Sequence, residues 1–225
     1  MRFTRLTLLA VVASLVVAGC SKGSKNPAAP PPPSTPPTND SPANAVLLFK
    51  WGWEHRDTAR QDSVLTDNFK FIAGTPGDTA ATVFPGGVDR PTMLAIDQRL
   101  FVTGAGALLP HATSIALGLD NTLRVLDNAR GLDATVHKDV LTGVSLVVKT
   151  NITLPIGGTG STATFYVVRG DSTTIHGATG LATRWYVEGV FDDTGGAGAI
   201  ASRVAPAAIT GAHALTWADL LAMYR

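Results

Sequence analysis

Residues 54–71 read EHRDTARQDSVLTDNFKF, and the architecture of the chain turns on how this stretch is divided. His55 and Arg56 suit the carbonyl end of a helix, where cationic and hydrogen-bonding side chains meet unpaired C=O groups. Asp57 is placed to cap a following helix through its free N–H groups. The spacing therefore predicts a helix ending at the triplet, a second short helix from Thr58 to about Leu65, and then a strand. In NFKFIA, Phe69 and Phe71 alternate with Lys70, so the phenylalanines face a core.

Working back from the junction, Ser41-Pro42 is a helix start, a capping hydroxyl followed by proline at a position where its missing N–H costs nothing. The helix ANAVLLFKWGWEHR places Ala43, Val46, Leu47, Lys50 and Trp53 on one stripe, widened by Leu48 and Phe49, and is expected to pack on a sheet. Forward of the junction, GTPGDTAATVFPGGVD reads as a long loop, and RPTMLAIDQRLFVTG as a third helix with Met93, Ile96 and Leu100 at helical spacing. Strands then dominate: ATSIALGLD, TLRVLDN, ATVHKDVLTGVSLVVKTNI, STATFYVVRGD and TRWYVEGVFDD, an expected antiparallel meander. Thr216 and Asp219 have capping-box spacing for a last short helix. Helices first and strands after define an α+β class, a curved antiparallel sheet with helices on one face.

The first twenty residues, MRFTRLTLLAVVASLVVAGC, carry Arg2 and Arg5, an apolar run from Leu6 to Val17 and small residues before a cysteine, the pattern of a secretion signal. The run is shorter than the roughly 18–20 residues a spanning helix needs. Val17-Ala18-Gly19-Cys20 resembles the bacterial lipobox, which implies cleavage after residue 19 and acylation of Cys20. Several acyl chains anchor a protein where one alone is marginal, at about 0.8 kcal/mol per buried methylene. Ser21 follows the cysteine in place of a retention-type aspartate, so the expected address is the outer membrane, facing the periplasm. Cys20 is the single cysteine, which excludes disulfides and thiolate metal sites from the rest of the chain.

Residues 20–40 form the acylated cysteine and a spacer with seven prolines and no large apolar side chain, which cannot build a core. Residues 41–225 are expected to be one folded domain. Of the chain's 18 Lys+Arg, Arg2, Arg5, Lys22 and Lys25 precede residue 41, and of the 17 Asp+Glu only Asp40 does, leaving 14 against 16. That balance offers no basic field for nucleic acid.

The helix from Ala43, the triplet His55-Arg56-Asp57, the short helix and LTDNFKF together resemble the N-terminal half of the nuclear transport factor 2-like, SnoaL-like superfamily. TRWYVEGVFDD is similar to its final strand, and the order of elements matches from about residue 43 to 193. The combination also resembles uncharacterised bacterial lipoproteins carrying such a domain. The resemblance implies a cystatin-like cone whose interior takes a small apolar ligand, or a surface for an envelope partner, with dimerisation through the sheet. Some members are isomerases, dehydratases or hydrolases using acid-base groups inside the cone, and others serve only as binding or structural modules.

Strand alternation supplies the candidates for such chemistry. His137 and Asp139 share one face of a strand, Arg184, Tyr186 and Glu188 one face of another, and Tyr166 lies on the strand between them in sequence. Facing the cone interior, they would form an acid-base cluster. The preferred alternative turns these faces to water, with Trp185, Val187 and Phe191 in the core, as in an ordinary half-buried sheet. Interior filling by Trp53, Phe71, Phe165 and Trp185 separates the structural reading from the enzymatic one.

Other motifs fall short. His137 with Asp139 makes two ligands where zinc needs three or four, and no cofactor or metal is expected. PIGGTGSTA lacks the lysine of a phosphate loop and reads as a hairpin turn. Arg169-Gly170-Asp171 sits at a strand end, where Gly and Asp suit a turn. His55-Arg56-Asp57 opens a kinase catalytic loop in other chains, but Asp62 stands where that motif needs asparagine. No nucleophile elbow is present in the sequence.

Overall fold

The computed structural model describes residues 35–73, 83–106, 109–151, 153–156, 161–193 and 215–225. The leader, Cys20 and most of the spacer lie outside the described residues.

The junction folds as its residues dictate. Helix α1 spans Pro42–His55, capped by the Ser41 hydroxyl, which accepts from the Asn44 N–H at 3.2 Å. Arg56 ends it in the left-handed conformation, φ 54°, and its guanidinium donates to the Ala112 carbonyl at 2.8 Å. Asp57 caps α2, Thr58–Val64, by accepting from the Arg60 N–H at 3.0 Å. The two helices pack closely because residue 52 is glycine: a Cβ there would come within 2.6 Å of Gln61 Nε2, which donates to the Phe49 carbonyl. The expected stripe on α1 is rotated. Ala45, Val46, Leu48, Phe49, Trp51 and Trp53 are buried, whereas Leu47 is 36% exposed. A helix buried around most of its circumference has a weak periodicity to read.

Strand β1 (Leu65–Ala73) follows directly, then β2 (Val88–Asp89), α3 (Arg90–Gln98) and a π-helical turn over Arg99–Thr103. Strands β3 (Ser114–Leu119), β4 (Arg124–Asp127), β5 (His137–Lys149), β6 (Thr153–Ile156) and β7 (Thr162–Arg169) come next. A small hairpin of β8 (Thr174–Ile175) and β9 (Ala178–Thr179) precedes β10 (Trp185–Asp193) and the last helix, α4 (Trp217–Met223).

The sheet runs β2-β1-β10-β7-β5-β3, with β4 and β6 also paired to β5. It is antiparallel except where β1 lies parallel to β10. It is a strongly curled sheet with helices on its inner face, the α+β architecture the order of elements predicts. The stretch PIGGTGSTA, expected to be a hairpin turn, has its glycines outside the described residues; the flanking β6 and β7 both pair with β5. One strand expectation needs correction. In β10 the register shifts between Val187 and Gly189, making Glu188 an extra, bulged residue. The bulge moves Val190 into the core in place of Phe191, and Trp185 is half-buried.

The inner face meets an aromatic cluster. Trp217 of α4 stands 5.4 Å from Phe71 and 6.0 Å from Phe49 between ring centres, and Phe49 meets Phe165 edge-on at 5.5 Å. Helix α4 is fixed at both ends. Its Thr216–Asp219 capping box forms, Asp192 accepts from the Ala218 N–H, and Tyr224 donates its hydroxyl to the Pro110 carbonyl at 2.7 Å. Among the described residues no helix is long and apolar enough to cross a membrane.

Candidate functional site

Among the described residues, the places that carry polar chemistry include the interior, a charged cluster on the outer face of the sheet, and an open groove on the same face.

Among the described residues, large side chains of the protein itself are packed in the interior. Trp53, Phe71 and Phe165 occupy it as the sequence suggests, but the fourth member is Trp217 and not Trp185. Among its buried acids is Asp97 on α3, fully buried, with neither carboxylate oxygen hydrogen-bonded. Burial alone pushes its carboxyl well above the ordinary carboxylate range, so the neutral form is favoured there. Asp97 escaped the reading of the sequence, although Met93 at i−4 and Leu100 at i+3 place it on the apolar stripe of α3.

The acid-base candidates stand on the opposite face. Val140, Phe165 and Val190 point inward along neighbouring rungs, which turns Asp139 and Tyr166 outward. The organising residue is Arg130, which the sequence did not single out. Its guanidinium donates to Glu188 at 2.8 Å, lies 3.8 Å from Asp139 and sits 4.3 Å above the ring of Tyr166. His137 Nδ1 is 3.5 Å from Glu188, and Asp139 accepts from the Ala129 N–H at 2.9 Å. His137, Asp139, Tyr166 and Glu188 are thus brought together, whereas Tyr186 is not: its hydroxyl accepts from the Leu181 N–H. The bulge explains how Glu188 reaches Arg130.

Arg130 is the common partner of this cluster and engages Glu188 through Oε2. Desolvation, then the charge of Asp139, raises the Tyr166 phenol above its ordinary value, with Arg130 opposing. Tyr166 is therefore a neutral phenol near pH 7. Among the described residues, no group of three or more His, Asp or Glu is arranged to hold a metal ion. Arg169 grips Asp171 through two bonds of 2.8 Å, so the Arg-Gly-Asp turn is closed on itself.

The third place is a groove of about 420 Å³ where β5 passes from its pairing with β4 and β7 to its pairing with β3 and β6. Gly118 faces Ser145 across the β3–β5 ladder, and Gly143 faces Thr162 across β5–β7. The missing side chains make room: a Cβ on Gly118 would lie 2.3 Å from the Ser145 hydroxyl, and one on Gly143 would lie 2.7 Å from an Asp120 oxygen. Asp120 accepts from the Gly143 N–H at 2.6 Å, and its own N–H donates to Thr142 Oγ1 at 3.0 Å. Arg124, paired opposite Leu141, also lines the groove.

No protein-family model matches the chain, and no curated protein is similar to it in sequence. Several solved structures are similar in outline. One, from Novosphingobium aromaticivorans and provisionally named an aromatic ring hydroxylase, is 11% identical with a TM-score of 0.44 over 67% of this chain and 84% of its own. An NTF2-like protein of unknown function in nutrient uptake from Rhodospirillum rubrum is 14% identical, TM-score 0.40, over 67% of this chain and 95% of its own. A nuclear transport factor 2 superfamily protein from Salmonella enterica is 9% identical, TM-score 0.39, over 74% and 90%.

Proposed function

We propose that the chain is a lipid-anchored envelope protein whose α+β domain is a binding module for a small molecule or another envelope component, working outside the cone and not as an acid-base enzyme within it. The observation that carries this reading is the division of the two faces. The volume an apolar ligand or substrate would need inside is taken by Trp217 and its aromatic neighbours. His137, Asp139, Tyr166 and Glu188 lie on the other face, bound up with Arg130. An open groove with polar walls stands on that same face.

The anchor rests on the leader, the lipobox-like Val17–Cys20 and the proline-rich spacer, with the outer membrane as the proposed address. Labelled palmitate supplied to cells making the chain is expected to enter the wild type and not Cys20→Ala. Label persisting in Cys20→Ala would refute acylation at that position. For the domain, Asp139→Asn and Glu188→Gln are expected to leave ligand binding intact, whereas loss of a measured turnover in both would restore the enzymatic reading.

A further inference from the structure

We propose that the groove at Gly118 and Gly143 binds a small zwitterion of the α-amino-acid class, with its carboxylate on Arg124 and its ammonium on Asp120. This deepens the reading of the domain as a binding module and rests on it.

Among the described residues that line it, the groove holds one formal charge of each sign, Asp120 and Arg124. Arg124 is exposed, and its guanidinium has no hydrogen bond or ion pair with any described residue, although Asp120 lines the same cavity. Asp120 spends Oδ2 on the Gly143 N–H, which fixes the carboxylate over the glycine and leaves Oδ1 to face the space a Cβ would have filled. A guanidinium and a carboxylate that share a cavity without pairing leave complementary charges for a molecule placed between them. A simple anion would gain Arg124 and face repulsion from Asp120, and a simple cation would meet the reverse. A zwitterion satisfies both, with the planar guanidinium suited to grip a carboxylate through two parallel bonds.

The rest of the lining fits a small polar molecule with a short side chain. Ser145 and Thr162 bring hydroxyls, which donate or accept, and Leu119 and Leu141 give an apolar wall. About 420 Å³ is within the range of small-molecule sites and accommodates one amino acid.

The test uses the isotope-labelled full chain in detergent, titrated with alanine, with acetate as the carboxylate alone, and with methylamine as the ammonium alone. Alanine is expected to move the Gly118 and Gly143 amide resonances and to saturate. Acetate and methylamine are expected to bind at least about tenfold more weakly. Arg124→Gln, a surface change, should weaken alanine by a similar factor without altering the thermal midpoint. Acetate binding as tightly as alanine, alanine binding unaltered in Arg124→Gln, or no shift at about 0.1 M alanine would each overturn the proposal. N-acetylglucosamine moving the same resonances where alanine does not would overturn the ligand class while leaving the binding-module reading in place.

Discussion

Trp217 meets Trp53 edge to face, ring centres 5.2 Å apart and planes at 83°, although the two belong to the last and first helices of the fold. Both are fully buried. Edge-to-face geometry places the positive rim of one ring against the negative face of the other. Trp217→Ala removes the side chain that touches four other aromatic rings, and the sheet and α1 cannot close over the space. A loss of about 3–5 kcal/mol is expected in chemical unfolding. Trp217→Phe should recover a good part of it.

Asp97 makes stability depend on pH in an uncommon direction. Its carboxyl is raised on folding by burial, so the folded state binds this proton more tightly than the unfolded chain does. Its contribution is most favourable below the unfolded carboxylate range and is lost as pH rises from there toward the raised folded value. Asp97→Asn should therefore raise the melting temperature at pH 7 by several degrees, with a smaller gain near pH 4. Equal gains at both pH values would contradict the assignment.

Gly52 is held by its neighbour and not by its backbone angles. Alanine there would press on the Gln61 amide, which is buried and bonded to the Phe49 carbonyl. Gly52→Ala is expected to cost about 1–3 kcal/mol even though alanine is the better helix former. In Gly52→Ala/Gln61→Ala the steric part of that cost should disappear, which a double-mutant cycle reads directly.

Arg130 has a spectroscopic reporter in Tyr166. Arg130→Met removes the cation above the ring and leaves the negative charge of Asp139 nearby, so the phenol should titrate at still higher pH in ultraviolet absorbance. Stability should fall by about 1–2 kcal/mol, since Asp139 is nearly buried while Arg130 and Glu188 keep contact with water. An unchanged phenol titration would show that Arg130 does not sit over Tyr166 in solution.

The caps were legible because capping is local: Ser41, Asp57 and the Thr216–Asp219 pair each act on N–H groups within three residues. The strands were legible because alternation is local too. What escaped depends on partners distant in sequence. The bulge at Glu188 exists only in the register between β10 and β7, and it brings Val190 into the core where Phe191 was expected. Arg130 lies in a connection and gains its place through contacts with Glu188, Asp139 and Tyr166 on three different strands. The helix at Trp217 could be recognised, but nothing within ten residues of it says that it would fill the centre of the fold. Asp97 was within reach, since a carboxylate on an apolar stripe is visible from spacing alone.

The placement of Trp217 also sets an order of events. A chain made from its N-terminus has completed the whole sheet before residue 217 is added, and until then Phe49, Trp53, Phe71 and Phe165 lack the ring that covers them. Aromatic rings left uncovered at that stage would make such a chain prone to associate with others in the same state. Its last step of assembly is the arrival of one indole from far along the sequence, the kind of long-range closure that slows folding.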